Sequence, residues 1–374
     1  MNVYFTDFSA NPECNLIKKL QLLVNKAGLE ELDCQGKFVA IKIHFGELGN
    51  LAYLRHNYVA KMVSMLRDKG AKPYLTDSNT LYTGSRSNAV DHLQTAFLNG
   101  FNPISVPGAP VIIADGLLGK DEAFLEIPNG EYGKKAKIGS AIAQADIVVS
   151  MTHFKGHEQT GFGGTLKNLG MGAASVAGKM FLHSDSKPIV DRELCIGCGW
   201  CVKNCRHKAI ALDDQQKAVI NYDKCVGCGQ CIATCQQGAA QANMDTSTRD
   251  LAGKIAEYAY AVVHGKPQLH VSFITDVSPN CDCWATNDKP IVSNIGMLAS
   301  TDPVALDQAC YDLVKAAAAL PGSRVNPHGD NDLKGCDKFT HALLHPTTDG
   351  LFGLAHAEKI GLGTRQYTLV TIQG

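Results

Sequence analysis

Phe38-Val-Ala-Ile-Lys-Ile43, the stretch 55–69 and Pro73-Tyr-Leu-Thr-Asp77 make one strand–helix–strand unit, and the architecture follows from it. The middle stretch reads as a helix because Tyr58, Met62 and Leu66 recur at i, i+4 and i+8, and Gly70 with Pro73 beyond it stops the pattern. A helix near 86–99 and the apolar run Val111-Ile-Ile-Ala114 repeat the alternation. A helix around 137–145 then precedes Asp146-Ile-Val-Val-Ser-Met151, whose near-continuous apolar character predicts a strand buried on both faces. The expected fold class is α/β, a mainly parallel sheet with helices on both faces, with ligands at the carboxyl ends of its strands.

After residue 240 the same alternation returns. Leu251, Ile255, Tyr258 and Val262 share one face of a helix near 247–263, with Ser247 as its N-cap. Leu269–Ile274 reads as a strand, and Asp302 with Pro303 opens a helix running to about 319. Helices near 337–345 and 350–360 and a strand at Tyr367–Ile372 follow. The intervening sequence is short-period and rich in Cys and Gly. Three segments are therefore expected: host residues 1–187, an inserted module at 188–240, and host residues 241–374.

The chain of 374 residues, 45% hydrophobic, suits a globular protein of about two domains' length. Lys plus Arg total 35 against 36 for Asp plus Glu, so no overall field points to nucleic acid or an anionic membrane. The N-terminal residues lack a signal-peptide pattern and no apolar run is long enough to span a bilayer, so a cytoplasmic location is expected.

Eight of the 14 cysteines lie between Cys195 and Cys235, in two copies of Cys-x2-Cys-x2-Cys-x3-Cys. In a cytosolic protein such crowding favours metal over disulfides. Three cysteines at this spacing wrap one face of an iron–sulfur cube, and the fourth of each run reaches the other cluster in two-cluster ferredoxins. Cys195, Cys198, Cys201 and Cys235 are thus expected at one [4Fe-4S] cluster, and Cys225, Cys228, Cys231 and Cys205 at a second. Gly197, Gly199, Gly227 and Gly229 let the backbone curl around the sulfides and aim N–H groups at them. This stretch resembles the bacterial two-cluster ferredoxins, an α+β module, except that Arg206 and Gln236 stand where that family carries proline. Paired zinc sites or disulfides are the competing reading.

Outside the module, the most polar sequence follows the strand ending at Met151: Thr152-His-Phe-Lys-Gly-His157, Gly161-Phe-Gly-Gly164, Lys167-Asn168 and Gly170-Met-Gly172. His153, Lys155, His157 and Lys167 converge on what reads as a glycine-rich loop, where Gly161, Gly163 and Gly164 can turn N–H groups toward an anion. A solvated turn with core histidines is the alternative. His44, at another strand end, can line the same pocket, with Glu47 as an acid or base and Arg55 as a carboxylate clamp. Asp77 to Thr80 either join it or cap a helix, and Lys179 and His183 lie between this pocket and the module. Cys281 and Cys283 on extended chain would point the same way and share a metal, a further cluster or an organic redox cofactor; otherwise they are free thiols. Cys310, in series with Leu306 and Leu313, reads as core.

His44-Phe-Gly-Glu47, Asp77-Ser-Asn-Thr80, His153-Phe-Lys-Gly-His157, the run from Gly161 to Gly172 and Cys281-Asp-Cys283 together resemble the domain-of-unknown-function family number 362, uncharacterised Fe–S centre proteins. The resemblance spans nearly the whole chain and implies an iron–sulfur protein without assigning a reaction. The step from Gly163 to Lys167, with His157 upstream, is also similar to a motif of nickel-pincer lactate racemases, which would imply cofactor attachment at Lys167.

The expected activity is an iron–sulfur oxidoreductase. It would pass electrons from a low-potential donor protein such as a ferredoxin, through two clusters, to an anionic substrate or cofactor held by His44, His153, Lys155, His157 and Lys167. Two rivals stay open: an electron carrier or binding protein without chemistry of its own, and an isomerase-like enzyme whose clusters are structural or sensory. No Gly-x-Gly-x-x-Gly stands between a strand and a helix to argue for a dinucleotide.

Overall fold

Eight strands hydrogen-bond into one sheet in the computed structural model, which describes residues 1–81, 84–183, 187–225, 231, 234–235, 237–242 and 246–372. Across the sheet lie β16 (Thr368–Thr371), β1 (Asn2–Asp7), β15 (Gly296–Ser300), β14 (Gln268–Ile274), β7 (Ile147–His153), β2 (Phe38–Lys42), β3 (Lys72–Asp77) and β4 (Val111–Ile113). β15 pairs antiparallel with both neighbours, and every other pairing in this sheet is parallel. The mainly parallel α/β sheet expected from the first strand–helix–strand unit is therefore the frame of the molecule.

Both faces are buried, and the strands show it at period two. Along β7, Ile147, Val149 and Met151 join one core with α1 (Leu16–Val24) and α2 (His56–Asp68). Val148 faces the opposite core, built with α5 (Thr165–Ala173), α8 (Thr246–Val263), α9 (Pro303–Ala316) and α10 (Gly350–Ile360). Asp302 caps α9 as expected, accepting from Val304 N at 2.9 Å and Ala305 N at 3.0 Å. Helix α3 (Ala89–Leu98) starts at Asn88, whose side chain accepts from the first-turn N–H groups.

Three expected elements differ. Residues 135–139 form β6 (Lys135–Gly139), a hairpin with β5 (Glu122–Glu126), and only α4 (Ser140–Ala143) is helical. The reason is period two: Ala136 and Ile138 are buried while Lys135 is exposed. Residues 337–345 are turns, because the Asp337 carboxylate takes Phe339 N and the Thr340 hydroxyl, offering the backbone a local alternative to a helix. The segment read as one glycine-rich loop is instead a hairpin of β8 (Lys155–His157) with β9 (Gly161–Gly163), followed by α5. Ser247 lies inside α8 rather than capping it.

Helix α6 (Val176–His183) leads to the cysteine-rich segment. There β10 (Pro188–Val190) pairs antiparallel with β13 (Ala240–Ala242), so the chain departs and returns at neighbouring points. Between them, β11 (Ile210–Leu212) and β12 (Ala218–Ile220) form a hairpin beside α7 (Trp200–Asn204). Ile210, Ala218, Ile220 and Ala239 make a small core separate from the two host cores. Among the described residues, no helix is long and apolar enough to cross a membrane.

Candidate functional site

Strands β2, β3 and β7 run in the same direction, and their carboxyl ends open into a cleft of about 780 Å³, counting the space at its mouth. The parallel arrangement makes this convergence: each strand delivers its last residues to one edge. From β2 come Lys42 and, just beyond, His44; from β3 come Asp77 to Thr80; from beyond β7 come Lys155, His157 and Glu158. Helices α5 and α6 add Lys167, Asn168, Lys179 and His183, and Cys283 completes the wall.

A buried network fixes the floor. The Lys42 ammonium lies 2.9 Å from the Asp77 carboxylate and donates to Asn168 Oδ1 at 2.8 Å. The Asn168 amide donates in turn to Thr152 Oγ1 at 2.9 Å. Arg86 stands between Glu47, at 2.9 Å, and Asp77, at 3.7 Å. Burial works against the charge on Lys42 and lowers its pKa, with Asp77 opposing; Asp77 is itself held below the usual carboxylate range, Lys42, His92 and Arg86 together outweighing its burial.

The histidines of the cleft are neutral. His157 Nδ1 accepts from the N–H groups of Gln159 at 3.2 Å and Thr160 at 3.1 Å, so Nε2 carries the proton. His44 Nδ1 likewise accepts from Gly46 N at 3.0 Å. Burial, reinforced by nearby Lys and Arg charges, holds both well below the ordinary imidazole range and brings His183 down to about 3. Lys179 is brought down to about 8 by burial, with Asp115 and Asp77 resisting. The fixed cations thus outnumber the carboxylates Asp77 and Glu158, and burial with the Cys281 charge pushes Glu158 upward. Such a cleft favours an anion.

His153 stands behind this wall. Its Nδ1 is 2.9 Å from Asp282 and its Nε2 2.7 Å from Thr275 O, so both ring nitrogens face oxygen acceptors. Lys155 donates to His153 O at 2.9 Å and sits 3.6 Å from Asp282. Beyond them, the Lys167 ammonium reaches Cys281 Sγ at 3.3 Å. Cys281 is buried, Cys283 lines the cleft, and residues 281–283 form a turn rather than extended chain. The neighbouring Cys283 and the Lys167 ammonium hold the Cys281 thiol well below its usual range despite burial. An ammonium against the thiolate disfavours a metal cation at this pair.

The cysteine-rich segment holds a second hollow of about 390 Å³, counting the space open to solvent. Cys195, Cys198 and Cys201 line it together with Cys235, which is distant in sequence. Cys195 Sγ accepts from Ala218 N at 3.4 Å and Cys205 Sγ from Ala209 N at 3.2 Å. Gly197 and Gly199, at φ of +71° and +72°, make the left-handed turns between the first three cysteines. Among the described residues no three ligand side chains close on a single-ion site. Cys205, Cys225 and Cys231 pack around the same small core, and Cys228, with Gly227 and Gly229, lies outside the described residues.

The family described as a domain of unknown function (DUF362) matches residues 39–312. The chain belongs to the DUF362 family. The matched span of this DUF362 protein holds the cleft residues from Lys42 to Cys283 and the whole cysteine-rich segment. No curated protein matches the chain. Among solved structures, it is similar to the lactate racemase apoprotein of Thermoanaerobacterium thermosaccharolyticum at 12% identity and TM-score 0.44, covering 85% of this chain and 59% of that one. It is also similar to a protein from Thermotoga maritima at 11% identity and TM-score 0.39, covering 81% of this chain and 59% of that one. The DUF362 chain thus spans about three-fifths of either structure's length, and at such identities the likeness concerns the fold alone.

Of the residues singled out by sequence, His44, Lys155, His157 and Lys167 meet at the cleft, while His153 supports it from behind. Gly161, Gly163 and Gly164 do not line it. A side chain at Gly163 would press on Lys155 and Lys167 at 3.3 Å, and one at Gly164 would overlap Asp307, so these glycines make room for other groups. Arg55 is exposed and pairs with Asp276, and Glu47 is spent on Arg86 and Ser85. Sequence reasoning passed over Lys42 and Glu158, noted Arg86 only as following the Asp77–Thr80 strand end, and took Asp282 only as the spacer between two cysteines. Lys42 left one trace, a lone charge inside an otherwise apolar strand.

Proposed function

We propose that this DUF362 protein is an iron–sulfur oxidoreductase that binds two [4Fe-4S] clusters and passes electrons to an anionic substrate or cofactor in the cationic cleft. The observation that carries the reading is the ring of Cys195, Cys198, Cys201 and Cys235 about one cavity, because it joins the first three cysteines of one run to the fourth of the other. Bound there, and at Cys205, Cys225, Cys228 and Cys231, the clusters would supply one-electron transfer at low potential. The N–H groups of Ala218 and Ala209 draw charge from the thiolates of Cys195 and Cys205 and so tune that potential. Ile196 and Trp200 stay exposed beside the cavity and offer an apolar face to an electron-donor protein such as a ferredoxin.

The segment and the cleft touch. Arg206, the residue after Cys205, donates to Thr80 O at 3.5 Å, and Thr80 lines the cleft. In the cleft, Lys155, Lys167 and Arg86 hold the anion and exclude competing cations. Lys179, with its pKa brought down to about 8, exchanges a proton near neutral pH where electron arrival changes the charge of the bound molecule.

Anaerobic reconstitution followed by iron analysis and low-temperature paramagnetic resonance tests the reading. About eight irons per chain and the signals of two interacting reduced clusters are expected. Well under that count, or a zinc content in its place, would overturn it. Turnover of a small anion without net electron uptake would instead support an isomerase whose clusters are structural.

A further inference from the structure

We infer that Cys283 is a nucleophile facing the cleft and Cys281 its proton acceptor, together capturing a small carboxylate or phosphate ester that carries an electrophilic carbonyl carbon. This rests on the reading of the cleft as an anion site. Three observations carry it. Cys283 lines the cleft, whereas Cys281 is 1% exposed and lies behind it. Lys167 Nζ stands 3.3 Å from Cys281 Sγ, giving the inner sulfur an ion-pair partner. The two cysteines stand two residues apart across one turn, so the outer thiol neighbours the inner sulfur. Lys167 thus touches both the cleft and the inner sulfur.

The step balances within the pair. Cys283 Sγ attacks the carbonyl carbon and forms an S–C bond, while its proton passes to Cys281 Sγ. The π electrons of the C=O bond move to the oxygen, which takes that proton back from Cys281. The product is a thiohemiacetal, and Cys281 returns to the thiolate held by Lys167. No oxidant or reductant is consumed. Lys155 and Lys167 meet the anionic end of the substrate at the cleft, and the negative groups that face the pair are Asp282 and Glu158. The neighbouring Cys281 sulfur, burial and, less strongly, Glu158 keep Cys283 a thiol at rest, so its reactivity needs proton transfer to Cys281 rather than standing ionisation.

Alkylation of the anaerobically reconstituted protein, read residue by residue by mass spectrometry, tests this with Cys336 as an exposed internal reference. With iodoacetamide near pH 7, Cys283 is expected to react about tenfold faster than Cys336, with a rate nearly flat where Cys336 accelerates with pH. Cys281→Ser should bring Cys283 down to the reference rate, with circular dichroism confirming the fold. If wild-type Cys283 reacts no faster than Cys336, the nucleophile is overturned. The anion reading has its own arms: iodoacetate should outpace iodoacetamide at Cys283 alone, and glyoxylate should protect Cys283 where acetaldehyde does not. A fast Cys283 with neither preference nor protection overturns the substrate class and the anionic cleft while leaving the nucleophile standing.

Discussion

At Asp282 two opposed effects meet in one side chain. Burial disfavours its charge, yet His153 and Lys155 outweigh burial and hold its pKa at about 2, below the ordinary 3.8. A carboxylate depressed on folding stabilises the native state fully above its unfolded pKa, and that contribution drains away as pH falls toward the folded value. The gap corresponds to about 2 kcal/mol. Urea titrations of wild type and Asp282→Asn should therefore differ by about 2 kcal/mol less near pH 2 than near pH 5. Lys42 makes the complementary case. Its removal in Lys42→Met leaves Asp77 buried beside a more distant Arg86, and a loss of about 3 kcal/mol is expected in the same measurement. Adding Asp77→Leu should recover part of it, since the unpaired charge causes most of the loss. Neither residue was prominent in the sequence. His44, Lys155 and Lys167 were, because a strand followed by polar residues marks a carboxyl end; Asp282 was only the spacer between two cysteines, and its role depends on a histidine 129 positions away.

Helix α5 is the element on which sequence and structure part most. Its glycines and its missing N-cap side chain make it read as loop. The cap comes instead from Asp307 on α9, whose carboxylate accepts from Thr165 N at 2.7 Å and Leu166 N at 2.9 Å, a partner no local pattern reveals. Its glycines serve packing against α8, where a side chain at Gly170 would overlap the Ile255 carbonyl. Alanine for glycine in a helix ordinarily gains about 1 kcal/mol. Here the overlap with backbone wins, and Gly170→Ala is expected to lose about 1–2 kcal/mol, read as a lower urea midpoint. A gain in midpoint would mean that α5 and α8 separate freely. Helix α2, by contrast, was legible to within a residue or so because its own apolar face sets it.

Over the whole molecule, the parallel pairing within β14-β7-β2-β3-β4 was legible from repeated strand–helix units, but their order was not, and β15 runs against the rest with no pattern that would announce it. The cysteine-rich segment was marked by its composition and by its twice-repeated cysteine spacing. Because β10 and β13 lie side by side, residues 191–239 can be replaced by a short turn without stretching the host. Such a variant should keep the host's circular dichroism and a single cooperative melt, and take up none of the iron expected of the proposed clusters. A molten or aggregated product would show that host and segment fold as one. Strand β1 sits between β15 and β16, so the first of its pairing partners is made about 290 residues after it and the second later still. At ribosomal speed, this leaves β1 without either ladder for roughly 15–60 s. The nascent chain thus carries an unmatched strand through nearly all of its synthesis, and chaperone demand during translation, rather than the stability of the finished sheet, becomes the tightest constraint on residues 2–7.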